Sequence, residues 1–532
     1  MTDPIDHVVV LILENRSFDQ MLGCFHPQVD GVDPRAPAVN RDSAGRDYFQ
    51  LPTTVRQMLL DPHHEVGHVA TQLEGGNGGF VRDFETCYGA STSDERQLIM
   101  SYYERGFLPA LHALAEDFTI CDRWFSSLPG PTWPNRFFAL TGTSNGRIDM
   151  PGDGEHTVDP AGWFEQDQMT IFDNLTEHGI HWKCYFHDVP QSAVLCHQRR
   201  PENAARYFYI DEFYEDARGR AEDFPQFCLI EPDFNGIGEN DDHPPHDVMK
   251  AEKLVANVYN ALRANAPLWQ STLLVVFCDE HGGFYDHVVP PSAVPPDDRA
   301  YGYDFKQLGL RVPALLISPW VDRRTDSTQF DHTSVLRYLI DKWDLEPMGR
   351  RAAAANSIAA ALTRATPRAL TDTVPWIELS QDQLAAPNPE VEEKAFGDSV
   401  HHKALQALRA YLVAETVGLL PRLFVPLARG YVFAKRGLDW LLDRLHVLHV
   451  SVADLDKVTT LRTGVRGDFA RFLRSHKKRS VKTLSRIIRN TAADPQRRDH
   501  AVHTLAMVSN RPFHRRPARV QLATEWLDRH GQ

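Results

Sequence analysis

The chain has 532 residues, of which 42% are hydrophobic and 24% charged. That is the balance of a soluble globular protein too long for one ordinary core, so one large domain plus a smaller one is expected. Charge is uneven: residues 401–532 hold 25 Lys+Arg against 10 Asp+Glu, a net of +15, which leaves −29 of the whole-chain −14 on residues 1–400. Two domains that attract each other explain this most simply. A basic surface that meets anionic lipid or nucleic acid is the sharper reading. No apolar run reaches the ~18 residues of a membrane-spanning helix, and no signal peptide precedes the first strand. The expected location is cytoplasmic as the sequence stands, or secreted or periplasmic if a leader has been removed. Seven cysteines without CxxC spacing are read as buried or free thiols, not a disulfide frame or a zinc knuckle.

In chain order, IDHVVVLIL (5–13) reads as a short buried strand. Loop signals fill 26–55. Residues 94–118 have helical periodicity with a break near Gly106 and Pro109. RFFAL (136–140) follows a Pro-rich turn and is expected to be helical. TIFDNLTEHG (170–179) reads as a helix stopped at Gly179, and IHWKCYF (180–186) as a strand. Strands over FPQFCLIEPDF (224–234) and STLLVVFCDE (271–280) flank a helix at 251–265. VPALLISPWV (312–321) is another strand and SVLRYLIDKWDL (334–345) another helix. Apolar strands that alternate with helices predict an α/β fold with a largely parallel sheet covered on both faces. Residues 1–365 form the expected main domain, 366–400 a linker, and 401–532 a basic, mostly helical domain.

Chemistry gathers where apolar strands stop. VVVLILENRSFDQML (8–22) ends its strand at Glu14 and Asn15, and LLVVFCDEHGG (273–283) ends its strand at Asp279 and Glu280. Ligands bind open α/β sheets beyond the carboxyl ends of the strands. Three carboxylates and a carboxamide at one edge repel unless a cation lies between them, and an oxygen-rich set suits Mg²⁺, Ca²⁺ or Mn²⁺, with Zn²⁺ also accepting carboxylates. In LPGPTWPNRFFALTGTS (128–144) a Pro-stiffened turn holds Thr132 near a helix N-terminus, either as a cap or as a nucleophile, with Asn135 close enough in sequence to serve a phosphate. Histidines in DPHHEVGH (61–68), YFHD (185–188), DDHPPHD (241–247) and FDHTS (330–334) offer acid–base groups, His243 and His64 foremost.

ENRSFDQMLG (14–23), DRWFSSLPGPTWPNR (122–136), ENDDHPPHD (239–247) and DEHGGFYDHVVPP (279–291) resemble the phosphoesterase family of bacterial phospholipases C and acid phosphatases, shared by plant non-specific phospholipases C. The resemblance covers roughly residues 5–365. It implies an α/β/α sandwich of the alkaline phosphatase-like type and a divalent metal held by Glu14, Asn15, Asp279 and Glu280. It implies Thr132 as nucleophile and metal ligand. It also implies catalytic roles for His243, His64 and, more weakly, His187, with His63 and His68 as competitors for the place of His64; His281 and His287 lie in a family motif without an assigned role. The expected activity is phospholipase C hydrolysis of glycerophospholipids through a phosphothreonine. Acid phosphatase action on soluble monoesters, and an inactive membrane- or nucleic-acid-binding module, are the alternatives. The expected partners are a phospholipid or phosphate ester and, through the basic C-terminal region, a membrane surface; nucleic acid is disfavoured.

Overall fold

The computed structural model describes residues 3–151, 164, 166–234, 239–299, 302–385, 404, 405 and 408. The helices expected at 401–532 lie, those three residues apart, outside the described residues. Eight strands form the main sheet: β1 (His7–Leu13), β2 (Thr119–Cys121), β3 (Trp182–Phe186), β4 (Tyr207–Tyr209), β5 (Phe227–Glu231), β6 (Thr272–Cys278), β7 (Ala314–Ile317) and β8 (Arg324–Asp326). Their spatial order is β8-β2-β7-β6-β1-β5-β3-β4. All run parallel except β7, which is antiparallel to both its neighbours. The longest, most apolar strands, β1 and β6, lie side by side at the centre, where burial on both faces rewards an unbroken Val/Leu/Ile run.

Helices close the sheet from two sides. From α2 (Thr132–Thr141), α3 (Ile171–Glu177) and α6 (Thr333–Trp343), the side chains Leu140, Ile171 and Leu336 meet Val10, Ile12 and Phe277 of the sheet. Side chains alternate across a strand, and Val9 and Leu11 are as buried as Val10 and Ile12, so the opposite face is covered too. There α1 (Pro109–Asp117), α4 (Ile210–Arg218) and α5 (Val248–Ala264) pack as a group, with α5 against both others. The expected α/β/α sandwich is therefore present. No helix among the described residues is long and apolar enough to cross a membrane.

Three expectations shift. The periodicity read over 94–118 resolves into a helix at Ser93–Ile99, a two-residue strand at Tyr102–Tyr103 and α1. The loop region 26–55 contains a small hairpin, Val39–Arg41 against Asp47–Phe49. Residues 366–385 are not a free linker. Asn260 of α5 exchanges two hydrogen bonds with the Ile377 backbone at 2.9 and 2.7 Å, Arg368 donates to Asp117 at 2.7 Å, and Ile377 and Leu379 are buried. Ala404 and Leu408 join the same core, and Leu405 packs on Phe234.

Candidate functional site

The register of β1 and β6 builds the site. Leu13 stands opposite Cys278 in a parallel pair, so Glu14-Asn15 and Asp279-Glu280 leave the sheet side by side. The Asp279 N–H donates to Leu13 O at 3.0 Å, the Arg16 N–H to Glu280 O at 3.0 Å, and the Asn15 N–H to Asp279 Oδ1 at 3.3 Å. Asn15 takes a left-handed conformation (φ 51°), which asparagine tolerates better than most residues and which turns the chain sharply off the strand. Gly282 and Gly283 bring the second exit loop into place. A Cβ on Gly282 would lie 2.2 Å from Asn15 O, and one on Gly283 2.8 Å from His63 O. Glu14, Asn15, Asp279 and Glu280 are all fully buried.

Thr132 is the first residue of α2. Pro131 occupies the cap position, without a side-chain cap, so the Thr132 hydroxyl is not the helix cap. Its Oγ1 is buried and has no hydrogen-bond partner among the described residues. Asn135 does not present its carboxamide to a ligand. Oδ1 accepts from Leu128 N at 2.9 Å, while Nδ2 donates to Leu128, Gly130 and Pro131 carbonyls, which locks the turn that delivers Thr132. One turn after Thr132 on the same face, Arg136 donates from Nε to Asp279 Oδ2 at 2.9 Å and reaches Glu14 Oε1 at 3.1 Å through Nη2. A guanidinium thus lies between Glu14 and Asp279, where a cation shared by all four strand-end residues was expected. Sequence reasoning passed over Arg136; its spacing of four from Thr132 was the available signal. Gln191, also passed over, donates to Glu14 Oε1 at 2.6 Å.

Of the three histidines at 61–68, His64 faces the strand ends. Its Nε2 lies 3.3 Å from Asn15 Nδ2 and 3.8 Å from Glu280 Oε1, while Nδ1 bonds to Pro62 O at 2.8 Å. His63 and His68 instead pack against each other, their rings tilted by 41° with centroids 4.6 Å apart. The His243 ring centroid is 6.1 Å from that of His64, and His243 Nε2 is 3.8 Å from Asp61 Oδ2. His246 pairs with Asp241 at 2.6 Å, and the Asp241 carbonyl accepts from Glu14 N at 2.7 Å, so the HPPH loop is tied to the strand end. His187 sits at the end of β3 with Nδ1 on Glu231 O at 2.9 Å and Nε2 3.5 Å from Asn240 Nδ2. His332 braces the floor: Nε2 donates to Asp279 O at 2.6 Å, while Nδ1 accepts from the Trp124 indole at 3.2 Å. Burial pulls its imidazole down to about 4, in keeping with that neutral tautomer. His281 lies beside Glu280 at 3.3 Å, and His287 pairs with Asp19 away from these groups.

Residues 5–346 match the model of the Phosphoesterase family. The chain belongs to that family. Non-specific phospholipase C3 of Arabidopsis thaliana is 32% identical over 424 residues, covering 71% of this chain and 77% of its own. Phospholipase C A of Mycobacterium tuberculosis is 31% identical over 395 residues, covering 64% and 72%. Among solved structures, the phosphonate monoester hydrolase of Agrobacterium radiobacter is 10% identical with a TM-score of 0.33, covering 67% of this chain and 77% of its own, too loose a likeness to carry an inference. The protein is a hydrolase of phosphoester bonds.

The electrostatics of this phosphoesterase are those of a site short of positive charge. Burial, then the nearby carboxylate of Glu14, pushes Asp279 up to about 8 even though Arg136 pulls the other way. Burial raises Glu280 to about 7 against the pull of His64. Burial, then Glu14, also lifts Asp241 well above the carboxylate range. Burial alone lowers the His64 imidazole, yet Glu280, Asp61 and Glu65 outweigh it and raise it to about 10. Asn15 Oδ1, Glu280 Oε1 and Thr132 Oγ1 are buried oxygens without hydrogen-bond partners among the described residues. Unsatisfied hard oxygens are the donors a divalent cation takes, but among the described residues Glu14, Asp279 and Glu280 do not form a group of three whose ligand atoms lie within 4.8 Å of one another, and Arg136 stands between Glu14 and Asp279.

Proposed function

We propose that this phosphoesterase is a phospholipase C that hydrolyses glycerophospholipids to diacylglycerol and a phosphorylated head group. The observation that carries the reading is the Thr132 hydroxyl: buried, not used as the helix cap, without a hydrogen-bond partner among the described residues, and one turn before the arginine that bridges Glu14 and Asp279. The names of the plant and mycobacterial relatives support a lipid substrate.

Glu14, Asn15, Asp279, Glu280 and Thr132 would hold a divalent cation, which when bound supplies positive charge for the Thr132 oxygen and the phosphoryl oxygens. Thr132 Oγ1, its proton lost to bulk water before substrate binds, attacks phosphorus in line and breaks the bond to the diacylglycerol oxygen. His243 gives that oxygen its proton. The positive end of the α2 dipole favours the phosphoryl group, and His64 lends a donor from Nε2. Water then attacks the phosphothreonine, returns a proton to His243 and frees the head-group phosphate.

Thr132→Ala is expected to lower turnover of phosphatidylcholine vesicles on the order of 10³-fold or more, with folding retained and a cation still held by the four strand-end residues. Near-normal turnover of the variant with cation present would remove Thr132 as nucleophile. A soluble phosphomonoester assayed in parallel separates the substrate classes: hydrolysis of the monoester alone makes the protein an acid phosphatase.

A further inference from the structure

A second group of metal ligands lies outside the catalytic edge. His68 sits in the helix Val66–Gln72, and Cys87 ends the helix Phe80–Cys87. A ring nitrogen from each of His63 and His68 and the Cys87 sulfur all lie within 4.8 Å of one another. Cys87 Sγ is 3.5 Å from His68 Nδ1. Ligands bonded at ~2.0–2.3 Å around a tetrahedral ion stand about 3.3–3.8 Å apart, so little movement is needed to close the set. All three side chains are half-buried and reachable from solvent.

The surroundings hold these ligands in place. Asp83 Oδ1 lies 2.8 Å from the same nitrogen, His68 Nδ1, and fixes that ring beside Cys87. The Gln72 amide donates to Asp83 Oδ2 at 2.8 Å and to His63 O at 2.7 Å. The two other clusters of this kind among the described residues already contain a positive charge. Arg311 bonds Asp19 and Asp286 beside His287, and Arg200 lies 2.7 Å from His197 next to Asp167 and Cys196. Among the described residues, His63, His68 and Cys87 make no such bond to an arginine.

We propose that His63, His68 and Cys87 form a second metal site, selective for a cation of the Zn²⁺ class and partly open to solvent. Two imidazoles and a thiolate favour Zn²⁺ over Mg²⁺ or Ca²⁺, whereas the oxygen donors at the strand ends suit harder ions. Cys87 binds as the thiolate and its proton passes to water. The site is joined to the catalytic edge through one carboxamide: Gln72 Oε1 accepts from His281 Nε2 at 2.8 Å, and His281 Nδ1 lies 3.3 Å from Glu280 Oε2.

Cobalt(II) is the probe, because thiolate ligation gives a near-ultraviolet charge-transfer band that oxygen ligation does not. Titration of the full-length enzyme is expected to produce the band and to bind one equivalent more than Cys87→Ser, in which the band is absent. His68→Gln, checked for unchanged thermal melting, should lose the band as well, and Cys196→Ser should keep it. A wild-type enzyme without the band, or a Cys87→Ser variant that retains it, overturns the proposal.

Discussion

Arg136 carries two of the site's carboxylates on one guanidinium, and the ring of Phe234 lies 5.2 Å beneath it. It is itself buried, so neither carboxylate finds water if the arginine is removed. Breaking a buried pair from one side costs about 3–5 kcal/mol. Arg136→Met is therefore expected to lose stability of that order in urea unfolding and most of its turnover. Arg136→Lys, which keeps the charge but not the two-armed geometry, should fall between it and the wild type. Wild-type stability in Arg136→Met would show that Glu14 and Asp279 need no partner. At this scale, residues defined by a chemical anomaly were legible: Glu14, Asn15, Asp279 and Glu280 interrupt apolar strands. Arg136, Gln191 and Asp241 were not, because a polar residue on a helix or loop has no direction until the chain folds. Asn135 illustrates the converse, a residue legible as a site neighbour whose hydrogen bonds go to the turn.

Among the elements, the exit loops after β1 and β6 decide whether the strand ends meet. Asn15 turns in the left-handed region and Gly282 (φ 65°) rests against its carbonyl. The two atoms nearest to a Gly282 Cβ are the backbone O and C of Asn15, which cannot rotate away. Gly282→Ala is expected to cost roughly 1–3 kcal/mol, from strain at a positive φ plus displacement of Asn15, and to lower turnover more than ground-state binding. Equal melting temperature and turnover would mean that the close approach is not needed. Long apolar strands and capped helices such as α3, with Thr170 as its cap, were legible because their signal spans several residues. Three-residue strands such as β2, β4 and β8 were not, since their pairing is dictated by neighbours remote in sequence.

For the whole molecule, the carboxylates at the sheet edge link cation binding to pH. Asp279 and Glu280 have ordinary values of 3.8 and 4.5 but rise to about 8 and about 7 in the fold. The folded state holds their protons longer than the unfolded chain does. Both groups therefore lower stability as pH climbs from those ordinary values, with the full penalty present above about 8. A divalent cation opposes that penalty. The gain in melting temperature on adding cation is expected to grow as pH rises through about 7 to 8. A gain independent of pH would separate the cation from these carboxylates.

The α/β/α plan was legible from alternating strands and helices, but the boundary at 366 was not, because a Pro- and acid-rich stretch signals a linker whether or not it docks. One contact makes that boundary matter. Leu405 rests on Phe234, the ring beneath Arg136. Cutting the chain after residue 400 would uncover Phe234, the ring against the guanidinium, as well as discarding basic residues. Silence in such a truncated enzyme would thus report a wetted charge bridge as readily as a lost membrane tether.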